Sequence, residues 1–186
     1  MKHIPNILTI FRLLACPLII YLFIFGTVMS IFAKKILIVF VIASLTDFFD
    51  GYLARKGNFK SNFGKILDPI ADKALIITMF VMIIIYGDFN KYNEIALYII
   101  ILRELTVSSL RFNLNSINES IDVNLLSKYK TFIQMLAIGF YMLYECQIGH
   151  ENILYSISIF LIWVAAFITF ATGIQHFKTY LKLKQK

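Results

Sequence analysis

Charge is scarce in this chain of 186 residues. Only 16% of the residues are Asp, Glu, Lys or Arg, and 59% are hydrophobic, where a soluble globular domain has about 25% charged and about 45–50% apolar residues. That deficit argues against a soluble fold: a chain this short has too much surface to hide so many Phe, Ile and Leu side chains. Cysteine is nearly absent. Cys16 and Cys146 stand far apart with no paired spacing, so neither a disulfide framework nor a zinc site is indicated. Leu13-Leu14-Ala15-Cys16 does not make a lipoprotein cleavage site, because Arg12 interrupts the apolar run before it and the longer run follows it. Proline is rare, and Pro5 is tolerable only near a helix start. His3, His150 and His176 are scattered and take no catalytic role. There is no internal repeat and no low-complexity segment.

Long apolar runs dominate, at residues 13–32, 36–45, 74–86, 95–102 and 153–174. A helix needs about 20 mostly apolar residues to cross the hydrocarbon layer. The pattern predicts a single all-α integral membrane domain over residues 1–186, with six transmembrane helices near residues 9–31, 34–55, 65–87, 92–112, 128–148 and 152–176. Turn-like breaks fall at residues 56–58 and 87–90, and a polar loop at 113–124. With six spans both termini share one side. Of the 18 Lys and Arg residues, Lys34, Lys35 and Lys91 fall on the other side, leaving 15 with the termini. Both termini are therefore expected in the cytoplasm, in a multi-pass protein of the cell (inner, cytoplasmic) membrane. The net charge of +7 is read as anchoring at an anionic membrane surface and not as nucleic-acid binding, because the basic residues cap apolar runs. The tail from Lys178 to Lys186 is read the same way.

Four of the 11 acidic residues cluster: Asp47, Asp50, Asp68 and Asp72. A carboxylate at mid-bilayer costs about 2.5–3.5 kcal/mol on insertion scales, so something must offset the cost, and a divalent cation is the obvious candidate. On a helix, Asp50 lies roughly 60° from Asp47, Gly51 about 40° and Ala54 about 20°. One stripe thus joins two carboxylates to two residues with little or no side chain. Gly64, Asp68 and Asp72 share a second stripe at steps of four. Two such stripes facing each other would line a polar cavity with hard oxygen donors, the ligands preferred by Mg²⁺ and Mn²⁺. Arg55 adds a fork for phosphate. Two other readings are ion pairing with Arg55, Lys65 and Lys73, and a proton or cation pathway. Four acids exceed what pairing needs, and a relay needs no small residues beside it.

Asp47-x-x-Asp50-Gly51-x-x-Ala54-Arg55, then eight residues, then Gly64-x-x-x-Asp68-x-x-x-Asp72 resembles the signature of the CDP-alcohol phosphotransferase family at all eight fixed positions. The resemblance implies that family's fold: six transmembrane helices, a cytoplasm-facing active-site cavity and a homodimer. It implies one or two divalent metals, Mg²⁺ or Mn²⁺, on Asp47, Asp50, Asp68 and Asp72. It also implies a cytidine-phosphate site lined by Gly51, Ala54, Arg55, Gly64 and Ser61, and Asp72 as general base. The start of the first helix, Pro5-Asn6-x-x-Thr9-x-x-Arg12, is similar to the family's Pro-Asn-x-x-Thr-x-x-Arg, which implies that Asn6 and Thr9 help hold the CDP-lipid. An ordinary helix start with an Asn cap is the other reading.

Two further segments, Arg103-Glu104-Leu105-Thr106-Val107-Ser108-Ser109-Leu110-Arg111 and Lys128-Tyr129-Lys130-Thr131-Phe132-Ile133-Gln134, resemble the branch of the family whose acceptor is sn-glycerol 3-phosphate. An alcohol carrying a phosphate needs a cationic pocket, and Arg103, Arg111, Lys128 and Lys130 supply four positive charges. Positive-inside anchoring is the competing reading of the same residues. Glu104 is within about 20° of Arg111 on a helix and is expected to orient it. The expected reaction is transfer of a phosphatidyl group from CDP-diacylglycerol, a membrane lipid, to sn-glycerol 3-phosphate, giving phosphatidylglycerophosphate and CMP. A sibling enzyme using inositol phosphate, serine or phosphatidylglycerol is the nearest alternative. An ion or proton transporter built on the acids, and a non-catalytic membrane scaffold, are more distant ones.

Overall fold

Apolar runs without water to hydrogen-bond their backbone groups satisfy those groups internally as helices, and six helices form among the described residues, with no strand. The computed structural model describes the backbone over residues 4–26, 29–57, 62–115 and 125–184, and side chains over residues 8–26, 30–46, 70–71, 73–110, 112 and 129–181. The helices are α1 (Ile4–Phe25), α2 (Met29–Gly57), α3 (Asn62–Tyr86), α4 (Lys91–Asn115), α5 (Leu125–Glu145) and α6 (Glu151–Lys184). The chain divides into two compact units. The first is Met1–Gly87 with Ile138–Tyr155, and the second is Asp88–Ala137 with Ser156–Lys186.

In the first unit α1 packs against both α2 and α3. Ala15, Ile19, Leu22 and Phe23 form the buried stripe of α1, and Ala33, Ile36, Phe40 and Ala43 that of α2. The steps of three and four put each set on one helical face. Lipid is as apolar as leucine, so close packing, helped by small residues such as these alanines, holds membrane helices together. Pro17 sits inside α1 and removes one backbone donor, yet the helix continues through it. At residue 26 the chain turns, earlier than the predicted end of the first span at 31. Residue 26 admits only glycine: a Cβ there would lie 2.6 Å from the Leu22 carbonyl and 2.8 Å from Phe32 Cγ. Lys34 and Lys35 consequently lie inside α2, where the Lys35 ammonium stands 5.0 Å from the centre of the Phe32 ring. α5 ends at Glu145, three residues before the predicted 148, and Gln147, Gly149 and His150 take positive φ (51°, 91° and 60°) to reverse the chain. Tyr144 and Tyr155, with ring centroids 5.1 Å apart, tie the two sides of that turn.

In the second unit Asn90 starts α4. Its carbonyl accepts from Asn93 and Glu94 N–H, and its side chain accepts from Tyr92 N–H at 3.4 Å. The indole N–H of Trp163 on α6 donates to Asn93 Oδ1 at 3.1 Å. α6 runs 34 residues, about 51 Å, and continues past the predicted end at 176 to Lys184. The lysine-rich segment after residue 177 is therefore helical over its described part, with cations at the end where the helix dipole favours them.

Among the described residues, Leu8–Phe25 and Glu151–Leu181 are long and apolar enough to cross a membrane, and Lys73–Tyr86 is a shorter apolar stretch. Leu14, Leu18 and Tyr21 on α1 and Phe160, Phe167 and Phe170 on α6 are exposed. Such faces suit acyl chains and not water. Gly87 is sterically fixed as well: a Cβ there would meet the Ile83 carbonyl at 2.5 Å and the hydroxyl of Tyr141, which itself donates to Glu145. Gly87→Ala is expected to destabilise the detergent-solubilised protein by about 1–3 kcal/mol. Gly139→Ala, in the interior of α5 and with nothing within 4 Å of the added Cβ, should instead raise stability by about 0.5–1 kcal/mol. Thermal unfolding of the two variants beside the parent checks both.

Candidate functional site

A charged and polar cluster lies buried in the second unit, where a hydrocarbon-facing bundle should hold neither charge nor unpaired polar groups. Its centre is Glu104 on α4. Oε1 of Glu104 accepts from Arg103 Nη1 at 3.3 Å, from Lys130 Nζ on α5, and from Gln134 Nε2 on α5 at 3.4 Å. α6 closes the cluster. Arg103 Nη2 donates to Thr172 Oγ1 at 2.9 Å, and Gln134 Nε2 donates to Thr169 Oγ1 at 3.2 Å. The Thr172 hydroxyl can in turn donate to the carbonyl of Ile168 or Thr169. All six residues are buried, and so is His176, one turn further along α6.

The geometry follows from helix periodicity. Lys130 and Gln134 are four apart on α5, so both reach one carboxylate. Thr169, Thr172, Gly173 and His176 recur at steps of three and four, a polar stripe on an otherwise apolar helix. Gly173 lies beneath Arg103: a Cβ there would be 3.0 Å from Arg103 Cγ and 3.4 Å from its Nε. Two cations, Arg103 and Lys130, share the one carboxylate of Glu104. Three hydrogen bonds to Glu104 offset the desolvation that would otherwise make a buried carboxylate costly.

Of the acceptor residues expected from sequence, Arg103 and Lys130 come together, on the same oxygen of Glu104. Glu104 thus binds Arg103 and Lys130; its expected partner Arg111 lies on α4 and Lys128 on α5, with the side chains of both outside the described residues. In the first unit, Thr9 is buried on α1 and Arg12 is 1% exposed one turn later. Asn6 lies in α1 with its side chain outside the described residues, and Ser61 lies outside them altogether. Asp47, Asp50, Gly51, Ala54 and Arg55 lie on α2, and Gly64, Asp68 and Asp72 on α3, with side chains outside the described residues. The backbone is continuously helical across both sets, so the stripe spacing expected for each is kept. Among the described residues no group of three or more His, Cys, Asp or Glu could hold a metal ion.

A family model for CDP-alcohol phosphatidyltransferases matches residues 2–171. The chain belongs to that family. Relatives agree along nearly its whole length. A Rickettsia typhi protein named CDP-diacylglycerol–glycerol-3-phosphate 3-phosphatidyltransferase is 41% identical over 180 residues, covering 96% of this chain and 97% of that one. Proteins of the same name from Wigglesworthia glossinidia brevipalpis and Bacillus subtilis are 38% and 36% identical, over 94% and 75% of this chain and 93% and 70% of their own lengths. As a member of this CDP-alcohol phosphatidyltransferase family with two membrane-length apolar helices, the chain is a membrane enzyme.

Sequence reading missed the contribution of α6. Thr169, Thr172 and Gly173 were absorbed into an apolar span, although their spacing on one face was a readable signal. Removing the centre of the cluster tests its weight. Glu104→Ala would strand two buried cations and is expected to cost about 3–5 kcal/mol of stability. Gln134→Ala, which removes hydrogen bonds but no charge, should cost about 1–3 kcal/mol. Chemical or thermal unfolding in detergent distinguishes the two, and equal losses would contradict the charge argument.

Proposed function

We propose that this chain transfers the phosphatidyl group of CDP-diacylglycerol to sn-glycerol 3-phosphate, releasing CMP and forming phosphatidylglycerophosphate. The observation that carries the reading is the full aspartate signature, held on unbroken helices, in a chain 41% identical over nearly its full length to a relative named for this reaction. The buried pair Arg103 and Lys130 supports the choice of a phosphate-bearing acceptor, since inositol phosphate aside, the sibling acceptors offer no phosphomonoester.

In this reading Asp47, Asp50, Asp68 and Asp72 hold one or two divalent ions, Mg²⁺ or Mn²⁺. The donor set fits: four carboxylates, hard oxygen ligands and no sulfur. Bound metal would supply positive charge to the diphosphate and to the departing CMP. The chain's own residues do the rest. Gly51, Ala54 and Gly64 leave room for cytidine and phosphate, Arg55 and Ser61 hydrogen-bond them, and Asn6 and Thr9 hold the lipid end. Arg103, Arg111, Lys128 and Lys130 bind the acceptor phosphate and so direct the free hydroxyl. Asp72 takes the hydroxyl proton, the oxygen attacks the β-phosphorus, and the bond to CMP breaks. Positioning and charge stabilisation carry most of such a transfer.

The reading also places the chain as a single six-span domain and homodimer in the cell (inner, cytoplasmic) membrane, with both termini and the active-site cavity toward the cytoplasm. The excess of basic residues on the terminal side supports that orientation.

CMP release from CDP-diacylglycerol by purified protein should require sn-glycerol 3-phosphate, with serine, inositol phosphate and phosphatidylglycerol giving little. Turnover with another alcohol and none with glycerol 3-phosphate would replace the acceptor and keep the family chemistry. Asp68→Ala is expected to lower turnover by at least about 10³-fold, and EDTA should abolish the parent's activity until Mg²⁺ or Mn²⁺ is restored. Full activity in EDTA would remove the metal from the mechanism.

A further inference from the structure

We propose that Glu104, Thr172 and Gly173 are positioning residues for the acceptor, so that α6 helps set the affinity for glycerol 3-phosphate. The inference rests on the reading of Arg103 and Lys130 as acceptor-phosphate ligands. It adds a helix that the acceptor motif, confined to α4 and α5, does not contain.

Among the described residues, three contacts fix the Arg103 side chain. Nη1 is held by Glu104 at 3.3 Å and Nη2 by Thr172 at 2.9 Å. Two fixed nitrogens set the plane of a guanidinium, whose donors form a rigid fork. The aliphatic stem passes over Gly173, where any side chain would press on Cγ and Nε. The fork is therefore aimed from α6 as well as from its own helix.

Glu104 has a second task. Arg103 and Lys130 are like charges that would repel each other at low dielectric, and the shared carboxylate holds them side by side. Gln134 orients the same oxygen from α5 and is itself tied to Thr169 on α6. The pair is thus held in place by contacts from α4, α5 and α6 together. A pair so held lowers the ordering cost of binding, which appears in the acceptor KM and not in the use of the CDP-lipid.

The test is steady-state kinetics of the full chain in detergent micelles, varying each substrate with the other saturating. Thr172→Val removes the hydroxyl that Arg103 binds. It should raise the KM for sn-glycerol 3-phosphate about tenfold or more, with the KM for CDP-diacylglycerol changing less than about twofold. Thr172→Ser, which keeps the hydroxyl, should recover most of the loss. Gly173→Ala should move the same KM in the same direction by displacing the arginine stem. Equal rises in both KM values, a fall in kcat with an unmoved acceptor KM, or no difference between Thr172→Val and Thr172→Ser would overturn the inference while leaving the proposed activity standing. A parent protein that releases no CMP with glycerol 3-phosphate would overturn the activity and this inference together.

Discussion

A single carboxylate ties together the helices of the second unit. Glu104 on α4 draws Arg103 from its own helix and Lys130 and Gln134 from α5, and through them reaches Thr172 and Thr169 on α6. In a water-filled setting such a network would add little, because solvent competes for every donor. In an apolar bundle the alternative to each bond is an unsatisfied polar or charged group, so the network sets which helical faces must meet. Replacing it by hydrocarbon could leave the fold as stable. What would be lost is an oriented pair of cations.

The first unit solves a different problem. Its buried residues on α1, α2 and α3 are mostly apolar, Ala15, Ala33, Ala43 and Ala71 among them with Ile19, Ile36 and Phe80, while Thr9 and Arg12 are buried polar residues of α1. Water-driven burial is missing between lipid-facing helices, so close approach does the work and small residues permit it. Gly26 and Gly87 serve the same end at helix termini, where a methyl group would strike a neighbouring backbone carbonyl. A tightly packed frame of this kind can keep polar positions at a constant helical register, and α2 and α3 remain helical through both aspartate stripes.

The family signature was legible from the chain because it depends on spacing along one helix. Asp47, Asp50, Gly51 and Ala54 share a stripe by arithmetic alone, as do Gly64, Asp68 and Asp72, and the family model covers both. Helix existence was also legible, since each apolar run is long. The ends were less so. The first helix stops at Phe25 and α6 continues to Lys184, because a helix end depends on local turn chemistry and a polar lysine-rich segment is no bar to helix.

The sequence by itself determined the class of the molecule, its family and the spacing of its acidic and basic residues along each helix, because composition and periodic spacing are properties of a linear chain. Only the tertiary structure decided which residues share a partner. Glu104 binds Lys130, 26 residues away, and Arg103 binds Thr172, 69 residues away. Those pairings depend on how α4, α5 and α6 pack, and no local spacing encodes the distance between two helices.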